Sequence, residues 1–120
     1  MSKSESSERT PITFRVSMTE NQRHAVKVIA AMRKLKDREF FEEAMEAHLD
    51  ARNAAEKKGV EFEYERIPRD AVSMAIYADE GLAVMVDEWA VKDNTKKDDA
   101  LYTAFVRHIE TWTDKMGFGD

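Results

Sequence analysis

A chain of 120 residues, 42% hydrophobic and 36% charged, has material for one shared core and no second full-sized domain. It contains no cysteine, which excludes a disulfide framework, a thiolate metal site and a cysteine nucleophile, and no apolar run approaches the roughly 20 residues of a membrane span, so the expectation is a cytoplasmic protein with no membrane partner. The net charge of -5 argues on average against a polyanionic partner, but residues 1–60 carry 12 Lys/Arg against 10 Asp/Glu while residues 61–120 carry 7 against 14.

Residues 1–10 are rich in Ser, Glu and Lys and have nothing to bury, so they read as a mobile arm. Ile12, Phe14, Val16 and Met18 then alternate with Thr13, Arg15 and Ser17, the period of a half-buried strand. Thr19 with Gln22 forms a capping box, and Ala25, Val28, Ile29, Met32 and Leu35 fall on one face of a helix over about 20–34. Asp37 is positioned to cap a second helix over about 38–58. Its inward face is Phe40, Phe41, Ala44, Met45, His48 and Leu49, its wet face Glu42, Glu43, Glu46 and Asp50, and Gly59 is its stop.

The segment 59–70 reads as an extended acidic connector, in which the alternation of Val60, Phe62 and Tyr64 with Glu61, Glu63 and Glu65 leaves pairing as an edge strand open. Val72, Met74, Ile76 and Ala78 give a second strand; a helix opened by Pro68 and running through Asp70 to Ile76 is the competing reading. Asp79 caps a helix bearing Leu82, Met85, Val86, Trp89 and Ala90. Thr95 with Asp98 forms a capping box before a last helix bearing Leu101, Phe105, His108, Ile109 and Trp112, and a tail follows from 114 to 120.

Strand, helix, helix thus occurs twice. Sliding the chain by 60 superposes Glu20, Val26, Ala30, Lys36, Ala44 and His48 on identical Glu80, Val86, Ala90, Lys96, Ala104 and His108, six identities in the 31 positions from Thr19 to Leu49. The recurrence points to an internal duplication, with repeats at 11–58 and 71–113. The expected fold is mainly α with a small two-stranded antiparallel ribbon, the two strand-helix-helix repeats forming one single-chain pseudo-dimer that is monomeric in solution. A second helix of roughly 30 Å can be retraced by 13 connector residues, which extend to about 43 Å, so the chain can return to pair its own strands.

The segment ITFRVSMTENQRHAVKVIAAMRKLKDREFFEEAMEAHL resembles the ribbon-helix-helix (MetJ/Arc-type) DNA-binding superfamily across residues 11–50, and 71–113 resembles it more faintly. Two copies in one chain are similar in form to the members used by DNA-transfer systems, namely virulence factors of T-DNA border processing and accessory factors of conjugative relaxosomes. The resemblance implies double-stranded DNA as partner, a role in plasmid or T-DNA processing and transfer, and a relaxase or other DNA-processing protein as a second partner.

Elementary physics leads the same way. The stretch Arg9–Arg38 carries eight cations against Glu20 and Asp37, a pattern that fits either a solvated helix face or a phosphate footprint. A two-stranded ribbon fits the major groove, and burying the apolar strand faces turns Thr13, Arg15, Ser17, Ser73, Ala75 and Tyr77 outward. Arg15 is the expected reader of guanine O6 and N7, with Thr13, Ser17, Ser73 and Tyr77 as further base contacts. Lys36 and Arg38 at one helix start, Lys96 and Lys97 at another, and Arg9 with Lys3 on the arm are the expected phosphate contacts, whereas Arg23 and Lys27 are expected to pair with acidic neighbours. The two strands carry different reading sets, so the expected target is non-palindromic or degenerate.

The competing classes are a protein-interaction module, docking through the acidic second half with Tyr64, Trp112 and Phe118, and a repressor or antitoxin. His48 and His108 fall at equivalent positions but lack a third ligand at suitable spacing, so they read as core residues rather than a metal site. His24 reads as a surface partner of Glu20. The Glu42, Glu43, Glu46 and Asp50 cluster reads as a solvated face rather than acid-base machinery. No phosphate loop or nucleophile motif is present, and neither catalysis nor a cofactor is expected.

Overall fold

In the computed structural model, which describes residues 11–117, the two alternating segments form β1, Pro11–Met18, and β2, Val72–Asp79. They pair antiparallel, with Pro11 opposite Asp79, Arg15 opposite Ala75 and Met18 opposite Val72. Alternation puts Val16, Met18, Met74 and Ile76 on the buried face and leaves Thr13, Arg15, Ser73, Ala75 and Tyr77 exposed, with Ser17 half-buried. The side chains of Ile12, Phe14 and Ala78, and the whole of Lys3, Arg9 and Phe118, lie outside the described residues.

Two strands alone are not stable in water, so the apolar face needs a roof. Four helices supply it: α1, Glu20–Met32; α2, Asp37–Lys58; α3, Glu80–Lys92; and α4, Lys97–Met116. The described protein is therefore mainly helical with a small two-stranded antiparallel sheet, in the order strand, helix, helix, strand, helix, helix. The long helices α2 and α4 pack together, and each covers the strand from the other half of the chain: α2 lies on β2 and α4 on β1. At their crossing the rings of Phe41 and Phe105 meet edge to face at 4.4 Å, and Phe40, Phe41 and Phe105 are wholly buried. Neither half holds a complete core by itself.

The helix ends follow from local chemistry. Thr19 Oγ1 accepts from the Gln22 amide at 3.1 Å and Gln22 Oε1 accepts from the Thr19 amide at 2.9 Å, which closes the expected capping box. α1 stops at Met32, short of the expected 34, because Lys34 is left-handed at φ 59°. The Leu35 and Lys34 amides then return to the carbonyls of Ala30 and Ala31, a Schellman closure. Asn94, at φ 56°, makes the same turn after α3, with the Thr95 and Asn94 amides returning to Ala90 and Val91.

Several expectations are corrected. Asp37 is the first helical residue rather than the cap; Lys36 is the cap, and its amide donates to Glu39 Oε1 at 2.8 Å. The amide of Thr95 is spent on the preceding turn, so Lys96 caps α4 without a side-chain bond and no Thr95–Asp98 box forms. Asp79 does cap α3 by position, without a side-chain cap bond. α4 continues to Met116, past the expected 113. The connector joins no ladder, since the sheet has only β1 and β2, and Pro68 opens a turn closed by the Ala71 amide rather than a helix. No helix among the described residues is long and apolar enough to cross a membrane.

Candidate nucleic-acid interface

Pairing register and alternation together bring the expected base-reading residues onto one surface. Thr13 lies opposite Tyr77, Arg15 opposite Ala75, and Ser17 opposite Ser73. At the middle of this face the small Ala75 leaves Arg15 free to lean along the ribbon, and its Nε donates to Ser73 Oγ at 2.7 Å. That is a diagonal cross-strand contact, within reach of a long side chain. One of the five guanidinium donors is thereby fixed to the ribbon. Tyr77 is 61% exposed. These residues offer a guanidinium, three aliphatic hydroxyls, a phenol and the methyl groups of Thr13 and Ala75.

The helix starts are less uniformly cationic than the sequence suggests. Lys36, Arg38, Lys96 and Lys97 are all exposed around the starts of α2 and α4. The same first turns hold Asp37 and Glu39 in α2, and Asp98 and Asp99 in α4. These carboxylates already satisfy the positive end of each helix dipole and oppose an incoming phosphate. Arg38 Nε lies 3.9 Å from Glu42 Oε2, a loose pair between an exposed arginine and a half-buried glutamate. Arg23 sits 3.9 Å from Glu20 on its own helix, as expected, whereas Lys27 is joined to Asp37 at the start of α2 rather than to a neighbour on α1. Glu20 is thus the partner of Arg23.

Arg33, counted in the cationic stretch, is turned inward. It donates to both oxygens of Glu43 at 2.6 and 3.0 Å and stacks on Trp112, its guanidinium carbon 3.7 Å from the ring centroid. Glu43 also meets His108 Nε2 at 3.1 Å, and the Arg33 bonds hold its carboxyl below the usual carboxylate range against the cost of burial. Glu42 accepts from the Asp79 amide at 3.0 Å. Glu42 and Glu43 therefore belong to the packing and not to a solvated face, while Glu46 and Asp50 remain exposed.

The connector is anchored over the flank of the long helices rather than trailing in solvent. Phe62 and Tyr64 pack on His48 with ring centroids 5.2 and 5.7 Å away, and the Glu65 amide donates to Thr103 Oγ1 at 2.8 Å. Tyr64 donates its hydroxyl to Asp93 Oδ2 at 2.6 Å. Asp93 in turn receives Arg52 Nε at 3.0 Å and Arg52 Nη2 at 2.6 Å. Arg52 is buried, pairs also with Glu56, and lies 4.0 Å from the Trp89 ring centroid. Burial, with the bond to Asp93 behind it, pushes the Tyr64 hydroxyl up, while the Arg52–Asp93 bonds raise the guanidinium and hold the Asp93 carboxyl below the usual carboxylate range.

Sequence reasoning missed this network. Its signal was the pairing of Arg52 with Glu56 at helical spacing, which marks only an ordinary surface pair until Asp93 is brought up by the fold. Tyr64 and Trp112, read as docking aromatics, are both half-buried and engaged. Among the described residues no three His, Asp or Glu side chains are grouped to hold a metal ion. No family model matches the chain, and neither does any curated protein or solved structure.

Proposed function

We propose that this chain is a single-chain, pseudo-dimeric ribbon-helix-helix protein that binds double-stranded DNA by laying the β1–β2 ribbon in the major groove. The observation that carries the reading is the outer ribbon face, where Thr13, Arg15, Ser73 and Tyr77 stand exposed on two paired strands whose other face is buried. Such a ribbon matches a groove about 12 Å wide, and Arg15 at its centre has the donor fork that suits guanine. Arg15 faces Ala75, its counterpart at a spacing of 60, so a pseudo-twofold axis would pass between them. The matched turns at Lys34 and Asn94, and the crossing of each long helix onto the other half's strand, favour the same symmetry.

In this reading Arg15 reads a base, with Thr13, Ser17, Ser73 and Tyr77 beside it, and Lys36, Arg38, Lys96 and Lys97 steady the ribbon on phosphates. The unequal strands favour a non-palindromic target. Two repeats in one chain suit an accessory role in DNA processing and transfer, alongside a relaxase, with no chemistry or cofactor of its own. The test is a fluorescence-anisotropy titration of a random-sequence duplex at rising salt. Up to four phosphate contacts give a slope of log affinity on log salt of about -3.6 at most. Undetectable or salt-insensitive binding would reject the reading.

A second reading, a protein-docking module, is favoured by one observation: Asp37, Glu39, Asp98 and Asp99 occupy the helix starts where phosphates would otherwise sit. Tight binding to a DNA-processing protein, with no salt-sensitive affinity for DNA, is the result that would select it.

A further inference from the structure

Arg15 is held in a different way from Arg23, Arg33, Arg38, Arg52 and Arg107. Each of those lies against a carboxylate. Arg15 forms no ion pair with a described residue, and its hydrogen bond runs to a neutral hydroxyl, from Nε to Ser73 Oγ at 2.7 Å. A carboxylate would oppose the charge of the guanidinium and occupy its fork, whereas a hydroxyl takes one donor and leaves the charge whole.

The bond crosses the ribbon on a diagonal. Arg15 stands opposite Ala75, and Ser73 lies two residues along β2 from Ala75 on the same outer face, about 7 Å away. Both Arg15 and Ser73 are exposed, so packing does not fix either one. With Nε engaged, Nη1 and Nη2 carry the four N–H donors that remain. A guanidinium can meet guanine O6 and N7 side-on, through Nε and one Nη, or end-on, through both Nη atoms, and the bond to Ser73 leaves the second. At a spacing of 60 the counterparts of Arg15 and Ser73 are Ala75 and Thr13, so the other half of the ribbon has a hydroxyl at this place and no arginine for it to hold.

We infer, resting on the ribbon reading of duplex DNA, that Ser73 is a positioning residue: its hydroxyl holds the Arg15 guanidinium so that Nη1 and Nη2 meet one guanine end-on, and it reads no base itself. A long exposed side chain loses rotamer freedom when it binds, and an anchor made before binding reduces that loss. The effect falls on guanine alone. Affinity for DNA of any sequence comes from phosphate contacts, which Ser73 does not supply.

The experiment compares Ser73→Val and Ser73→Thr with the wild type, alone and in an Arg15→Ala background, by fluorescence anisotropy at one salt concentration. Valine has the shape of threonine without its hydroxyl. The probes are a random-sequence duplex, the duplex that the wild type selects from a random pool, and that same duplex with the G·C pair that Arg15→Ala ceases to select replaced by A·T. Guanine preference is the ratio of affinities for the last two. Ser73→Val is expected to lower this preference about fivefold, the scale of one hydrogen bond. Ser73→Thr is expected to keep it, and both variants to bind the random duplex as the wild type does. In the Arg15→Ala background neither substitution is expected to have an effect. A Ser73→Val protein with the wild-type preference, a loss that persists in the Arg15→Ala background, a Ser73→Thr protein no better than Ser73→Val, or weaker binding of the random duplex by Ser73→Val would each overturn the assignment and leave Arg15 as the reader. The absence of any guanine preference that depends on Arg15 would instead reject the ribbon reading, and the role of Ser73 with it.

Discussion

Acid should weaken this fold through His48. The residue sits on α2 with 4% of its surface exposed, between Phe62 and Tyr64, and its Nε2 has no hydrogen-bond partner among the described residues. Burial, reinforced by the charge of Arg107 and opposed by that of Asp93, pushes its pKa down from 6.5 to about 4. The folded value lies below the unfolded one, so the unfolded chain binds the extra proton first. The stabilisation is whole above pH 6.5 and is lost as pH falls towards 4. At about 1.4 kcal/mol per pH unit the gap amounts to about 3 kcal/mol, a large share of a small domain's stability. His108 is lowered by burial too, so it acts with the same sign, although Glu43 opposes the shift.

The assay is urea unfolding of the wild type and His48→Leu between about pH 7 and pH 4. Carboxylates and His108 titrate in both proteins, so their difference isolates His48. The wild type is expected to lose about 3 kcal/mol relative to the variant across this window. A difference that does not change with pH would refute the claim that His48 is buried in its neutral form.

Replacing left-handed Lys34 by glycine removes the steric penalty of an L side chain there, and is expected to raise stability by about 1 kcal/mol in thermal melts; Asn94→Gly should gain less, because Asn tolerates this conformation. No gain at Lys34 would count against the turn. Asp93→Ala leaves buried Arg52 without its two-pronged partner and releases Tyr64, and urea unfolding should show a loss of about 3 kcal/mol or more. A loss below about 1 kcal/mol would mean that Glu56 alone satisfies the arginine. Thr19→Ala, which opens the capping box of α1, should cost about 1 kcal/mol by the same measurement, and no cost would refute the box.

Much of the fold is legible in the chain because its signals are periodic and local. Val16 and Met18 against Arg15 and Ser17 give a strand face, and Thr19 with Gln22 gives a helix start, with no reference to distant residues. Matching strands of equal length, separated by a connector that can span the return, then make the ribbon the economical pairing. Local signals fail where a group has two competing uses. Thr95 looks like a cap, but its amide is taken by the Ala90 carbonyl, and the helix starts one residue later.

The ribbon's outer residues follow from alternation alone, whereas the interior polar contacts do not. Glu43 has the spacing of a solvated carboxylate, and only the approach of Arg33 from α1 and His108 from α4 makes it a structural anchor. Phe62 and Tyr64 alternate with glutamates as an edge strand would. They pack on His48 instead because the connector meets the flank of the helices, where aromatic burial and the bond to Asp93 replace a backbone ladder. Net charge misled in both directions: Arg33 was no footprint for phosphate, and the helix starts rich in lysine also carry acids.

The central claim is that the outer face of β1 and β2 reads duplex DNA, and Arg15 is the residue on which it turns. Selection of bound sequences from random duplexes, run in parallel with the wild type and Arg15→Ala, tests it most directly. The wild type is expected to yield a non-palindromic site containing a guanine that Arg15→Ala no longer selects, with a loss of about 1–3 kcal/mol on the selected site. Equal affinity and an unchanged sequence preference in Arg15→Ala would contradict the account.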